Sequence, residues 1–476
     1  MRYDYIILGA GITGMCCAER LKKRDPKAKI LIIEERPVTG GLSRSIPYKD
    51  WRLDLGPHRL YTPYPKVEEY WKQLLGDELL TVDRSSAMYL HGKMVEYPFQ
   101  MSNLMLSLSP VKALQYLSSF VCQKLTHAHI SMNNPAKALQ EFSYTGYLRS
   151  RFGEMIARDV FYPYAYKVWG LPPENLSSWI LKKRVSSPTL SAMISSLWNQ
   201  KKKKEMVRED FYYPRLGMNQ LIEAIEKQCR SNAITFSLND RVKFLERKEQ
   251  HWKVETIHEK YEAMRVISTL PVTEMMHLTQ NRFIDGDKKL RQSFKSLSFR
   301  KIYMVYLFLS RPAEEFKSWY YFPQKDIIFS RISNLKRFSK NISDTEGTVL
   351  CCEIPMDMHE NPHEEAGDFV IRDLERTGLL KREEVKEVYC HEEPFCYPVY
   401  DLIFEAKLKL IFQYLGRQTN LISTGRQGLF HHNNIDHAIL MGWTTADYCY
   451  NSGFIMDLTR WYFQTTRSFE AFKIID

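Results

Sequence analysis

The sequence predicts an α/β fold built around a Rossmann-like dinucleotide-binding domain, and three observations carry that reading. "DYIILGAGITGM", residues 4–15, runs from an apolar strand into a G-x-G-x-x-G turn. "ITFSLNDRVKFLERKEQHWKVETIHEKYEAMRVISTLP" alternates as a ladder of strands does. "NLISTGRQGLF" and "DHAILMGWTTADYCY" read as strand, glycine turn, loop and final helix. The nucleotide-binding domain is therefore expected to be discontinuous, made of residues 1–63, 211–271 and 420–450. Residues 64–200 read as a mainly helical insert, 272–419 as a substrate domain with an antiparallel sheet, and 451–476 as a C-terminal tail helix.

Taken in order, Tyr5-Ile6-Ile7-Leu8 is apolar on both faces, as a buried parallel strand requires. Gly9 permits the tight turn, Gly11 lets a pyrophosphate approach the backbone, and Gly14 lets the helix pack on the strand. The helix that follows sets Met15, Cys16, Ala18 and Leu21 against Glu19, Arg20, Lys22 and Lys23, and "DPKAK" ends it. A second strand, 29–33, leads into Glu34, whose carboxylate can accept hydrogen bonds from an adenosine ribose. After the insert and the ladder, "KIYMVYLFLS" and "TVLCCEIP" supply further strands, and helices return after His363.

Bulk properties narrow the class. A chain of 476 residues with 44% hydrophobic and 13% aromatic content has ample material for a large core. Nine cysteines, without C-x-x-C pairs, give neither a disulfide framework nor zinc spacing, so no metal is expected. The passage from Met1-Arg2 straight into a strand leaves no room for a signal peptide, and a cytoplasmic protein is expected. The most apolar stretch, "MSNLMLSLSPVKALQYLSSFVCQKL", is broken by Pro110 and Lys112 and reads poorly as a membrane span. The net charge of +11 has a bland reading, a solvated loop at Lys201 to Lys204, and a functional one, attraction to anionic substrates or to a membrane surface. Nucleic acid is disfavoured because no binding motif accompanies the charge.

Beyond these features the chain resembles a known family. "EERPVTGGLSRS" followed by "DLGPHRLYT" resembles the FAD proteins of the amine oxidase and UDP-galactopyranose mutase superfamily. "FGEMIARDVFYPYAYKVWGLPPENLSSWILKKRV", "YYPRLGMNQL", "WYYFPQKDIIFSR", "CYPVYD", "GRQGLF" and "NNIDHAILMG" are similar, in order, to blocks of its mutase branch. The resemblance implies a GR2-type FAD-binding domain and a reaction in which reduced FAD attacks the anomeric carbon of a nucleotide sugar and interconverts its pyranose and furanose rings. It further implies an anionic substrate such as a nucleoside-diphosphate sugar, a role in polysaccharide biosynthesis, and NADPH as a candidate reductant; it leaves the oligomeric state open.

Carried over position by position, the resemblance puts Arg184 and Arg331 on the diphosphate, since a guanidinium offers two parallel donors. Tyr321 and Tyr397 join them, His58 lies beside the flavin, and Trp169 stands at the site wall. On the cofactor, Arg36 and Ser43 meet phosphates, Val242 offers its backbone to adenine, and Gly425, Arg426, Asp436 and His437 face the flavin and its ribityl chain. Thr13, Glu35, Gly41 and Leu42 complete that set. Each side chain also has a plain structural reading, as a core tyrosine, a turn residue or an ion pair at a strand edge. The departures fall on substrate positions: His431 and His432 stand where relatives have Arg-Tyr, Arg208 stands for an asparagine, and Arg184 lies at Trp179 plus five instead of plus four. An alternative therefore stays open, an oxidoreductase of the amine oxidase, protoporphyrinogen oxidase or desaturase type.

Overall fold

A computed structural model describes residues 2–97, 108–128, 142–184, 210–279, 287–453 and 455–474. β1 (Arg2–Leu8), α1 (Ile12–Arg24) and β2 (Ile30–Ile33) form the βαβ unit, with β1 and β2 parallel and Tyr5 opposite Ile30. Every residue from Tyr5 to Leu8 and throughout β2 is buried, so the strands are covered on both faces, which is what their unbroken apolar runs require. α1 packs between the helices Met218–Ser231 and Ile435–Asn451.

The sheet runs Val242–Arg247, Trp252–Thr256, Lys260–Ser268, β1, β2, Thr235–Ser237, and Leu421–Ser423 lies parallel to the end of Lys260–Ser268. Its strands thus come from residues 2–33, 235–268 and 421–423. Asp54 ties the two-stranded hairpin Ser45–Tyr48/Trp51–Asp54 to the helix beginning at Met218. This fully buried carboxylate accepts from Ser45 Oγ (2.7 Å), Tyr213 Oη (2.6 Å) and the Met218 backbone N–H (3.2 Å). Burial pushes its pKa up to about 6 against the pull of those three donors.

A second seven-stranded sheet runs Val385–Pro398, Phe299–Leu309, Thr348–Asp357, Arg331–Asn334, Trp319–Tyr321, Ser86–Leu90, Lys93–Glu96. All its pairs are antiparallel except Trp319–Tyr321 with Ser86–Leu90.

Three elements differ from expectation. Strands at 79–83, 86–90 and 93–96 interrupt the stretch read as helical, and the last two complete the second sheet; 79–83 pairs with Asp210–Pro214 and 86–90 with Trp319–Tyr321, each more than a hundred residues away where no local pattern reports it, while 93–96 joins 86–90 as a hairpin. Val385–Pro398 is a 14-residue strand where helices were expected, because an edge strand with charged Lys386, Glu387 and Glu392 lacks an unbroken apolar run. The tail after Asn451 is a series of short turns, Leu458–Arg460, Trp461–Thr465 and Arg467–Glu470, folded back to bury Trp461, Tyr462 and Phe469.

Candidate functional site

A cavity of about 820 Å³ lies between the two sheets and takes lining residues from both. Its first end is the turn after β1. Gly9 has φ +99°, and a Cβ there would sit 2.3 Å from Thr269 Oγ1. A Cβ on Gly14 would lie 2.2 Å from the Gly9 carbonyl oxygen, so the helix can approach the turn only without a side chain. Gly11, the residue that starts α1, provides no side-chain cap, leaving the first N–H groups of the helix open beside the cavity.

Glu34 follows β2. Its Oε2 accepts from the Ala10 N–H (2.8 Å) and its Oε1 from the Arg36 N–H (3.1 Å), while burial raises its pKa. Thr13, Glu35, Gly41, Leu42, Ser43 and Val242 line the same end. Arg36 also lines it, but its guanidinium is engaged: Nη2 lies 2.8 Å from Glu393 Oε1. Arg44 holds the other oxygen of Glu393 at 2.6 Å, and His391 Nε2 lies 3.2 Å from it.

Arg331 stands at the other end with Tyr321 and Tyr397. Its Nε and Nη2 each donate to Glu353 at 2.8 Å, and Nη2 reaches Tyr397 Oη at 3.5 Å. Nη1 makes no hydrogen bond among the described residues. The Glu353 side chain is only 3% exposed, so this is a buried carboxylate clamped by one guanidinium. His58 lines the cavity beside them; burial and the neighbouring Arg331 push its pKa down to about 4, and its Nε2 is buried without a partner among the described residues. The imidazole is neutral at pH 7.

Gly425 and Arg426 line the cavity, but the Arg426 side chain serves the wall itself. Nη2 donates to the Cys396 carbonyl (2.8 Å) and Nη1 to that of Asn433 (2.6 Å), and the guanidinium lies over the Tyr397 ring. Asp436 and His437 do not reach the cavity. They are buried behind it, His437 stacked on Phe472 with ring centroids 4.4 Å apart, and burial drives Asp436 up to about 6 and His437 down to about 3. They stand behind the wall instead of facing a bound ring. Gly14 likewise serves packing without lining the space. Trp169 sits behind Tyr397, its ring edge-on at 5.8 Å. Arg184 ends the helix Trp179–Arg184, and its side chain lies outside the described residues, as does Arg208.

Two lysines were not singled out from sequence. Lys183, at Trp179 plus four, lies over the Trp179 ring at 4.3 Å and hydrogen-bonds His431 Nε2 at 2.7 Å; burial lowers its pKa to about 8. The i, i+4 spacing from a tryptophan was the available signal. Lys167 donates to the carbonyls of Phe322 (2.7 Å), Gln324 (2.5 Å) and Phe329 (3.0 Å), so it fixes the loop that separates Tyr321 from Arg331. No spacing rule pointed to it.

Residues 7–74 match the NAD(P)-binding Rossmann-like domain family. In structure the chain is similar to a reduced UDP-galactopyranose mutase, with TM-score 0.80, 20% identity and 94% of each chain covered. It is also similar to a putrescine oxidase bound to putrescine, with TM-score 0.62, 15% identity and coverage of 94% of this chain and 98% of that one. In sequence it is 21% identical to the coproporphyrinogen III oxidase of Staphylococcus aureus over 268 residues; the match takes in 53% of this chain and 57% of that protein, a little over half its length. The fold is thus the one seen in the UDP-galactopyranose mutase and putrescine oxidase structures, with a Rossmann-like nucleotide-binding domain facing a largely antiparallel sheet. Within that fold the mutase structure superposes over nearly the whole chain with the higher of these two scores.

Proposed function

We propose that the chain is an FAD-dependent enzyme that isomerises a nucleoside-diphosphate sugar between ring forms without net oxidation. One observation carries the reading: a single cavity joins a dinucleotide cradle at Gly9, Gly11 and Glu34 to a wall of Arg331, Tyr321 and Tyr397. FAD fits the residues present. Bare backbone at Gly11 and Gly41 and the open start of α1 suit a diphosphate, Glu34 suits ribose hydroxyls, and the orphaned His58 Nε2 suits a polar atom of the isoalloxazine edge. When bound, FAD would supply a ring nitrogen that is nucleophilic when reduced and a hydride acceptor when oxidised.

The remaining roles belong to the chain's own side chains. Arg331 presents its Nη1 to an anionic oxygen while Glu353 fixes the orientation of the guanidinium. Tyr321 and Tyr397 offer hydroxyls to the same group, and the aromatic packing of Trp169 and Tyr164 behind them keeps water from that end. His58, held neutral, adds no positive charge beside Arg331.

A second reading has an observation of its own. Glu353 neutralises Arg331, so the anion grip is weaker than two unpaired guanidiniums would give, which favours an oxidoreductase working by hydride transfer at the same place. The experiment that separates them starts from protein reconstituted with FAD. The dithionite-reduced holoenzyme is incubated with UDP-, GDP- and dTDP-hexoses, and the products are resolved by ring form. Ring isomers formed over many turnovers per reduction support the mutase. Oxygen uptake or peroxide matching product one for one transfers the assignment to the oxidoreductase, and failure to take up FAD ends both.

A further inference from the structure

The helix Pro110–Ala128 has two faces of opposite kind. Its inner face carries Tyr116 and Phe120, both buried. Tyr116 belongs to an apolar cluster with Met88, Leu90, Val95, Ile156 and Val160, against which the cavity residue Tyr321 packs. Gly153 comes so close that a Cβ on it would lie 3.0 Å from both N and Cα of Phe120, so the helix is seated tightly on this side. Its outer face carries Val111 at 68% exposed, Leu114 at 68%, Leu117 at 51% and Val121 at 43%. Their spacing of three, three and four residues makes one continuous stripe along three turns, unlike the scattered apolar residues of an ordinary surface.

The charge on the helix and on the elements packed against it is mainly basic. Among the described side chains the helix carries Lys112 and no acid, and Tyr144–Phe152, which packs on it, adds Arg149 and Arg151 and no acid. The turn that follows adds Arg158 with Glu154 and Asp159. Glu154 pairs with Arg149, while Asp159 is shared by Lys112 at 3.2 Å and Arg158 at 3.6 Å. The cations outnumber the acids on all three elements taken together. A second copy of this chain would present the same basic surface and be repelled, whereas an anionic surface complements it.

We propose that the exposed face of this helix docks on an anionic phospholipid bilayer, its four apolar side chains entering the headgroup boundary and the surrounding basic side chains meeting lipid phosphates. No described helix is long and apolar enough to cross a membrane, so the contact is a surface one. It places the bilayer one layer of side chains from Tyr321, on the far side of the Tyr116 cluster. The inference does not depend on which reaction the cavity performs.

The test uses the full chain sedimented with vesicles of phosphatidylcholine alone or phosphatidylcholine with phosphatidylglycerol. Wild type is expected to bind the mixed vesicles, less so as salt rises, and to leave the neutral ones largely unbound. The double variant Leu114→Asp/Leu117→Asp replaces only exposed side chains, so its melting temperature should match wild type while its partition coefficient falls by at least about tenfold. A polarity-sensitive label on Cys122, exposed on the same helix, should shift to the blue with mixed vesicles. Wild type that ignores the mixed vesicles at low salt overturns the proposal, as does a double variant that binds them equally well. So does a wild-type dimer, seen by light scattering and dispersed by the same variant, without vesicle binding.

Discussion

Glu353 and Glu393 are the residues that most change the reading of the site, because each turns an arginine expected to face a ligand into half of a buried ion pair. Removing one partner of such a pair leaves the other charged in a poorly solvated place, which costs about 3–5 kcal/mol. Arg331→Met should therefore lower the stability in urea by that order, and Arg331→Met/Glu353→Gln should recover most of it while an anionic substrate stays unbound. Recovery of binding along with stability would remove Arg331 from the site. Burial pushes the Glu393 carboxyl up, but His391 and Arg44 by hydrogen bonds and Arg44 and Arg36 by charge bring it below the ordinary glutamate value of 4.5. A folded-state value below the unfolded one gives stability that is complete above about pH 4.5 and lost as pH falls through the folded value. Glu393→Gln should start less stable by about 3 kcal/mol and show a shallower fall in melting temperature between about pH 5 and 3 than wild type. The arginines were legible because they sit in recognisable blocks. Their carboxylates, 22 and 357 residues away for Arg331 and Arg36, were not, since ion pairing across a fold leaves no mark on local sequence.

Among elements, the nucleotide-binding unit was legible because strand, glycine turn, helix and second strand are contiguous, and each signal concerns residues within a few positions of one another. The helix Ile435–Asn451 was equally legible, but its seat was not. A Cβ on Gly442 would lie 2.6 Å from the Thr13 carbonyl oxygen and 3.1 Å from the Cys17 nitrogen, so this glycine sets how closely the helix meets α1. Gly442→Ala should lower the melting temperature through overpacking worth about 1–3 kcal/mol, with FAD binding weakened because Thr13 moves. Gly14→Ala, with backbone in its way at 2.2 Å, should be the more severe of the two and abolish FAD uptake. Thermal melts with and without added FAD check both, and an unchanged melt for Gly442→Ala would mean the helices part without cost. The edge strand Val385–Pro398 shows the opposite case. Its exposed positions alternate from Val385 to Val388, a period visible only once Phe299–Leu309 is known to lie beside it.

At the scale of the whole molecule, the nine cysteines carry free thiols with no disulfide, and seven are buried, with Cys390 half-buried and Cys122 exposed. A thiol reagent added to native protein should therefore modify Cys122 rapidly and Cys390 slowly, and all nine only after denaturation. Fast reaction of three or more would contradict the described packing. The composition had already argued against a disulfide framework, and the chain accordingly depends on burial for its integrity. The placement of β1 has a further consequence when the chain is considered in the order in which it is made. β1 leaves the ribosome well ahead of its neighbour Lys260–Ser268, which emerges some 260 residues later, and of the helix that covers α1, which begins only at Ile435. At roughly 5–20 residues per second, the apolar side of α1 waits on the order of tens of seconds for its cover. During that interval Ile12, Met15, Cys16 and Leu21 are a target for chaperones, and a truncated product cannot assemble the cradle. On the proposed reading, a dinucleotide can find its whole site only in a chain translated past Ile435–Asn451, and a ligand that prefers the closed form draws the population toward it.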